Sequence, residues 1–142
     1  MNKIKIRLLQ RDDQPNDLLN LFKQLTKNEV KIDIDKWLAE KNIFCYLGMD
    51  GDKCIAFASL SLKLVPTKGY VGVVEDVVVD ENYRQQGVGT RMMKTLIKKA
   101  QTLNLKMIEL TSNPSRIGAR RLYEKLGFKL RDTGVFRMIL NE

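Results

Sequence analysis

Chemistry is most concentrated between Val77 and Thr90, in the stretch VVVDENYRQQGVGT. A run of valines ends at Asp80, a short polar loop follows, and Gly87 and Gly89 open what reads as a helix. The first turn of a helix has N–H groups without intrahelical acceptors and a partial positive charge, so it holds phosphate well. Glycine there lets an anion approach the backbone, and Arg84 adds a fixed positive charge. Taken alone, Gly-x-Gly at a helix start serves equally well as a tight turn, and both readings stand at this point.

The absence of histidine narrows the remaining chemistry. It excludes His-based triads and His-containing zinc sites, and two cysteines cannot build a structural zinc site, so no metal is expected. Any general base must be a carboxylate, a tyrosine, an amine or water. Cys45 and Cys54 lie in apolar stretches without CxxC spacing and read as buried free thiols.

The elements that must position these residues follow from periodicity. Residues 3–9 alternate with period two and read as an opening strand. Leu18, Leu21, Phe22 and Leu25 recur at helical spacing after Pro15, and Ile34, Trp37 and Leu38 continue into a short helix capped by Asp33. Two apolar strands, 43–49 and 54–65, flank Asp50-Gly51-Asp52-Lys53, a hairpin signal of the type I′ kind. Tyr70–Val79 is a valine-dense strand. A helix from Gly87 to about Leu103 carries Val88, Met92, Leu96, Ala100 and Leu103 on its apolar stripe, with Arg91, Lys94, Lys98 and Lys99 toward water. Residues 106–111 read as a strand, and 115–126 as a helix ended by Gly127. Residues 128–130 and 135–140 read as two closing strands. The result is one α/β domain over residues 1–142, with the order β-α-α-β-β-β-α-β-α-β-β.

Composition sets outer bounds. The chain has 142 residues, enough to bury about two-thirds of its unfolded surface. It is 44% hydrophobic and 30% charged, as suits a globular protein. No apolar run reaches the roughly 20 residues of a membrane helix, and the start lacks a secretory pattern, so a cytoplasmic location is expected. The net charge of +8 favours an anionic partner without choosing among nucleic acid, membrane and polyphosphate, and most of the lysines suit an ordinary solvated surface.

Two motifs carry a resemblance. The stretch ending in Arg84-Gln85-Gln86-Gly87-Val88-Gly89 resembles the cofactor motif (Q/R)-x-x-G-x-(G/A) of the GNAT superfamily of N-acetyltransferases. Ala119-Arg120-Arg121-Leu122-Tyr123-Glu124-Lys125-Leu126-Gly127-Phe128 is similar to that family's A-x-x-L-Y-x-x-x-G-F signature. The resemblance implies a mixed, mostly antiparallel sheet of about seven strands with four helices, an α/β fold that some schemes class as α+β. Its strands four and five would splay to hold acetyl-CoA, the co-substrate. The amides of Gln85, Gln86, Gly87, Val88 and Gly89, with Thr90 beside them, would hold the pyrophosphate. The backbone of Val77, Val78 and Val79 would hold the pantetheine arm, with an N–H near Val77 as oxyanion donor.

The resemblance also suggests catalytic roles. Tyr123 matches the position that protonates the departing thiolate, although its helical spacing equally suits packing. Glu75 matches a water-linked general base, with a salt bridge as the plain alternative, and Asp76 and Glu109 are weaker candidates. Many relatives have Asn where this chain has Arg116, preceded by Asn113-Pro114-Ser115. Asn113 reads as a contact to the cofactor or as a helix cap, and Arg116 as a partner of the 3′-phosphate, of an anionic substrate, or of nothing. The implied activity is acetyl transfer to a primary amine of a small molecule, by direct attack through a tetrahedral intermediate. The alternatives are a protein or peptide amine, or a non-catalytic acetyl-CoA-binding or nucleic-acid-binding module. No helix-turn-helix, zinc finger or aromatic RNA-binding motif supports nucleic acid, and no membrane partner is expected. A homodimer through the C-terminal strands is admitted by analogy only.

Overall fold

The computed structural model describes residues 3–141, which gather into two compact units divided between Thr111 and Ser112. The first unit runs β1 (Ile4–Leu8), α1 (Pro15–Leu25), α2 (Ile34–Ala39), β2 (Ile43–Asp50), β3 (Lys53–Val65), β4 (Gly69–Val79), a single 3₁₀ turn (Glu81–Tyr83), α3 (Val88–Thr102) and β5 (Ile108–Glu109). The second unit holds α4 (Ile117–Lys125).

The sheet order is β1-β2-β3-β4-β5, with β1 to β4 antiparallel and β5 parallel to β4. The mixed, mostly antiparallel sheet matches expectation, but it has five strands rather than about seven. Residues 128–130 and 135–140 form no strand. Both stretches are largely apolar, yet Leu130, Val135, Met138 and Leu140 are exposed. β propensity reflects packing against a partner strand, and these segments have no ladder partner among the described residues. β5 is likewise shorter than the expected 106–111.

Both sheet faces are covered. Leu18, Leu21 and Phe22 of α1 pack with Ile34 of α2 against Cys45, Leu47, Phe57 and Val78. Phe22 meets Phe57 edge-on at 5.0 Å between ring centroids, and Trp37 flanks both rings. On α3, Val88, Met92, Met93, Leu96 and Ala100 are buried, so the apolar stripe extends to Met93. Two residues expected in water are not fully solvated. Arg91 donates through a guanidinium nitrogen to the Ile4 carbonyl at 2.8 Å, and Lys99 lies over the Phe44 ring at 4.6 Å. Long cationic side chains bury their stems and keep a polar head paired or wet.

The ends of several elements follow from local chemistry. Asp33 caps α2, accepting from the Lys36 amide at 3.1 Å, as the sequence suggests. The β2–β3 turn departs from the type I′ expectation. Asp50 pairs with Lys53, so Gly51 and Asp52 are the central residues, and only Gly51 has positive φ, the pattern of a type II′ turn. Cys45 and Cys54 are buried and unbridged, and burial pushes their thiols up to about 11 and about 12. Both are therefore protonated at neutral pH and inert as nucleophiles.

Candidate active site

β4 is paired differently at its two ends. Its early residues have neighbours on both sides: β3 along one edge, and β5 along the other at Gly72 and Val73. A Cβ on Gly72 would lie 2.9 Å from side-chain atoms of Ile108 and Leu60, so this close junction requires glycine. From Val74 through Val79 that edge of β4 has no ladder partner among the described residues. The resemblance implies a splay between strands four and five, and the ladder between β4 and β5 ends at this level.

On the other edge the ladder slips at the same level. Pairing passes from Ser59–Glu75 to Phe57–Val78, so Asp76 and Val77 together face Ala58 alone. Asp76 has φ of +53°, an uncommon value for a side chain other than glycine. Such a bulge takes backbone groups out of the ladder and re-aims the strand, often beside a functional site. Ser59 Oγ donates to the Glu75 carbonyl at 3.0 Å and fixes the residue before the bulge. The Glu75 and Asp76 side chains are exposed. The ion pairs described are Arg7–Asp13 and Arg11–Asp35, and Glu75 takes part in neither. Its carboxylate thus carries no burial cost, and solvent reaches it.

The strand then delivers the chain to a built loop. Asp80 is only 9% exposed; one of its carboxylate oxygens accepts from the Asn82 amide at 2.9 Å and the other from Gln24 at 3.2 Å. Burial alone would raise its pKa. The bonds from Asn82 and Gln24, with the charges of Lys53 and Arg84, outweigh burial and hold the carboxyl below its ordinary value. Tyr83 donates to an Asp50 carboxylate oxygen at 2.5 Å, which keeps its phenol protonated above the usual range, and Lys53 lies 6.0 Å from its ring centroid. Arg84 folds back through Nε to the Val79 carbonyl at 3.0 Å.

Beyond Arg84 the amides lack backbone acceptors. Gln85 has φ of +62° and Gly87, at the head of α3, φ of +81°. The first amide here to reach a backbone carbonyl is that of Arg91, bonded to Gly87 at 3.1 Å. Among the described residues, the N–H groups of Gln85 to Thr90 make no backbone bond. Left-handed residues interspersed in such a turn form a concave nest of N–H groups suited to an anion. A Cβ on Gly87 would meet nothing within 4 Å, so the space beside it is open. The resemblance-derived residues Val77 to Thr90 are thus brought together in one strand-loop-helix, with Glu75 two residues upstream, and this backbone fits a pyrophosphate.

The second unit explains its own motif. The Phe128 amide donates to the Tyr123 carbonyl and the Gly127 amide to that of Glu124, both at 3.0 Å. Gly127 has φ of +103°. This is a Schellman closure of α4, and the Tyr123 and Phe128 rings meet edge-on at 6.0 Å, the apolar contact that accompanies it. The Tyr-x-x-x-Gly-Phe spacing is therefore also a device for fixing the Tyr123 ring, which is buried. Asn113 does not cap α4. Its Oδ1 accepts from the Ser115 amide at 2.9 Å within a separate turn, and Arg116 stands at the helix N-cap, exposed and without a side-chain cap bond. Gln24, Asp50 and Asp80 were not expected as part of the loop's support. The Asp80-x-Asn82 spacing signals an Asx turn, whereas nothing in the sequence points to Gln24.

Residues 7–128 match the model of the acetyltransferase (GNAT) family. An N-alpha-acetyltransferase 30 of Xenopus laevis is 31% identical over 97 residues, covering 68% of this chain and 35% of its own length. The chain therefore corresponds to about a third of that relative. A glucosamine 6-phosphate N-acetyltransferase of Schizosaccharomyces pombe is 35% identical over 68 residues, 48% of this chain and 59% of that protein. A predicted acetyltransferase of Clostridium acetobutylicum, solved with acetyl-CoA, superposes with a TM-score of 0.76 at 23% identity, over 95% of this chain and 96% of its own. The chain belongs to the GNAT acetyltransferase family.

Proposed function

We propose that the chain transfers the acetyl group of acetyl-CoA to a primary amine of a small molecule. The observation that carries this is the joint opening of β4: an edge from Val74 with no ladder partner among the described residues, a bulge at Asp76–Val77, and a nest of unpaired amides immediately downstream. When bound, acetyl-CoA supplies an activated acyl carbonyl and a thiolate leaving group. The Gln85–Gly89 amides and Thr90 hold the pyrophosphate, with Arg84 adding charge. The backbone edge of Val77 to Val79 that lies beyond the β5 ladder orients the pantetheine like an added strand, and the N–H near Val77 serves the oxyanion. Glu75, reached by solvent, takes the amine proton through water. Tyr123, which matches the family signature and packs its ring on Phe128, is given the role of proton donor to the leaving thiolate on the strength of that resemblance.

A second reading has its own support. The match to an N-alpha-acetyltransferase covers 68% of this chain, which favours a peptide N-terminal amine as acceptor. A panel of polyamines, amino sugars and short peptides, assayed with acetyl-CoA and thiol detection, separates the two. Turnover of a small amine with peptides inert supports the proposal. Turnover of peptides alone overturns it, and binding of acetyl-CoA without turnover on any acceptor favours a sensor.

A further inference from the structure

We propose that Gln24 is a positioning residue that locks the start of the phosphate loop to α1, resting on the assignment of that loop to the coenzyme A pyrophosphate. Gln24 lies one residue before the end of α1, and both ends of its carboxamide are used. Nε2 donates to Asp80 Oδ2 at 3.2 Å and Oε1 accepts from the Glu81 amide at 2.9 Å. Only one orientation satisfies both partners, because a carboxylate cannot donate and an amide N–H cannot accept. The contacts span 56 and 57 residues of sequence.

The clamp transmits rigidity from a packed element to an irregular one. Leu18 and Leu21 of α1 are almost wholly buried, so the helix is seated in the core. Asp80 relays the hold: its other oxygen takes the Asn82 amide, its own amide donates to the Ile55 carbonyl at 2.8 Å, and its carbonyl accepts from Tyr83 at 2.8 Å. Glu81 and Asn82 are thereby fixed just ahead of the nest. A loop held before the ligand arrives loses less freedom on binding, which strengthens binding without any direct contact from Gln24.

The test uses acetyl-CoA titration calorimetry alongside the melting temperature of the free protein. Gln24→Leu removes both bonds and should weaken acetyl-CoA binding about tenfold, with kcat at saturating cofactor retained. Gln24→Glu sets a carboxylate against Asp80 and should weaken binding further. Adding Asp80→Asn reverses the donor and acceptor, since the asparagine can still accept from Asn82 while donating to the carboxylate introduced on α1, and most of the affinity should return. Such rescue is foreign to a residue that only supports the fold. Unchanged affinity in Gln24→Leu, or a double variant no better than Gln24→Glu, overturns the proposal while leaving the loop assignment intact if Gly87→Trp still abolishes binding. A native chain that does not bind acetyl-CoA overturns both.

Discussion

The loop after β4 and the segment between α1 and α2 are both irregular, both belong to the first unit, and are held in different ways. The loop is tied by polar bonds to three separate places: Gln24 on α1, Asp50 at the β2–β3 turn, and the Val79 carbonyl. The segment 26–33 has a local bond from the Asn28 amide to Thr26 Oγ1, the Asp33 cap, and Val30 and Ile32 resting on the core. A phosphate bound by backbone amides needs the backbone fixed, because no rotamer can correct a misplaced N–H. The loop is thus held by fixed polar geometry, whereas segment 26–33 is held mainly by apolar seating.

That contrast is broken most directly at Gly87. Gly87→Trp should abolish the rise in melting temperature given by acetyl-CoA, which for ligand at a hundredfold excess over Kd is worth about 2.7 kcal/mol. Glu29→Ala, in the segment between α1 and α2, should leave that rise intact. If Gly87→Trp retains full cofactor affinity, the amide nest is not the phosphate site.

The next effect is at the bulge. Glu75→Gln keeps shape and exposure and removes only basicity, so kcat/KM should fall about 10²–10⁴-fold, most strongly at acidic pH where free amine is scarce. Cofactor affinity should not change. An unaltered pH profile would return Glu75 to an ordinary solvated carboxylate. Tyr123→Phe comes third, with kcat expected to drop about 10²-fold at constant cofactor affinity. The ring contact to Phe128 and the backbone closure through Gly127 do not involve the hydroxyl, so the variant should fold. Near-normal kcat in this variant would leave Tyr123 with a packing role alone.

How much was legible in the sequence follows the same division. Val77 to Thr90 could be read because helix-start chemistry is local, and α3 begins at Val88, directly after Gly87. The long helix and the buried thiols follow from periodicity and composition. The Asp76 bulge could not be read, since a one-residue slip is set by the register of β3 against β4 and not by either strand alone. Gln24 was invisible because its partners lie 56 and 57 residues away. The closing strands failed for the opposite reason: residues 128–130 and 135–140 are apolar enough for strands, and apolar composition states a preference for a partner without supplying one.

The smallest expected effect lies in the acid limb of stability, and it separates the two carboxylates that burial and bonding treat alike. Asp80 and Asp13 both have pKa values held below the ordinary range. For each, burial pushes upward and is outweighed, by Asn82, Gln24 and nearby cations in the first case and by Arg7 in the second. A group whose folded pKa is depressed stabilises the fold fully above its unfolded value, about 3.9 for Asp, and that stabilisation is lost as pH falls through the lower folded value. The free protein should therefore hold its melting temperature down to about pH 4 and lose it progressively below. Asp80→Asn and Asp13→Asn should each flatten part of that decline. They should differ when acetyl-CoA is titrated at neutral pH. Asp13 bonds Arg7 and the Gln10 amide, away from the loop, so its variant should bind normally. Asp80→Asn should weaken binding, because the asparagine amide meets the Gln24 amide donor to donor at one of the two oxygens. Equal cofactor affinity in the two variants would mean that the loop's polar ties support the fold and do nothing for the ligand.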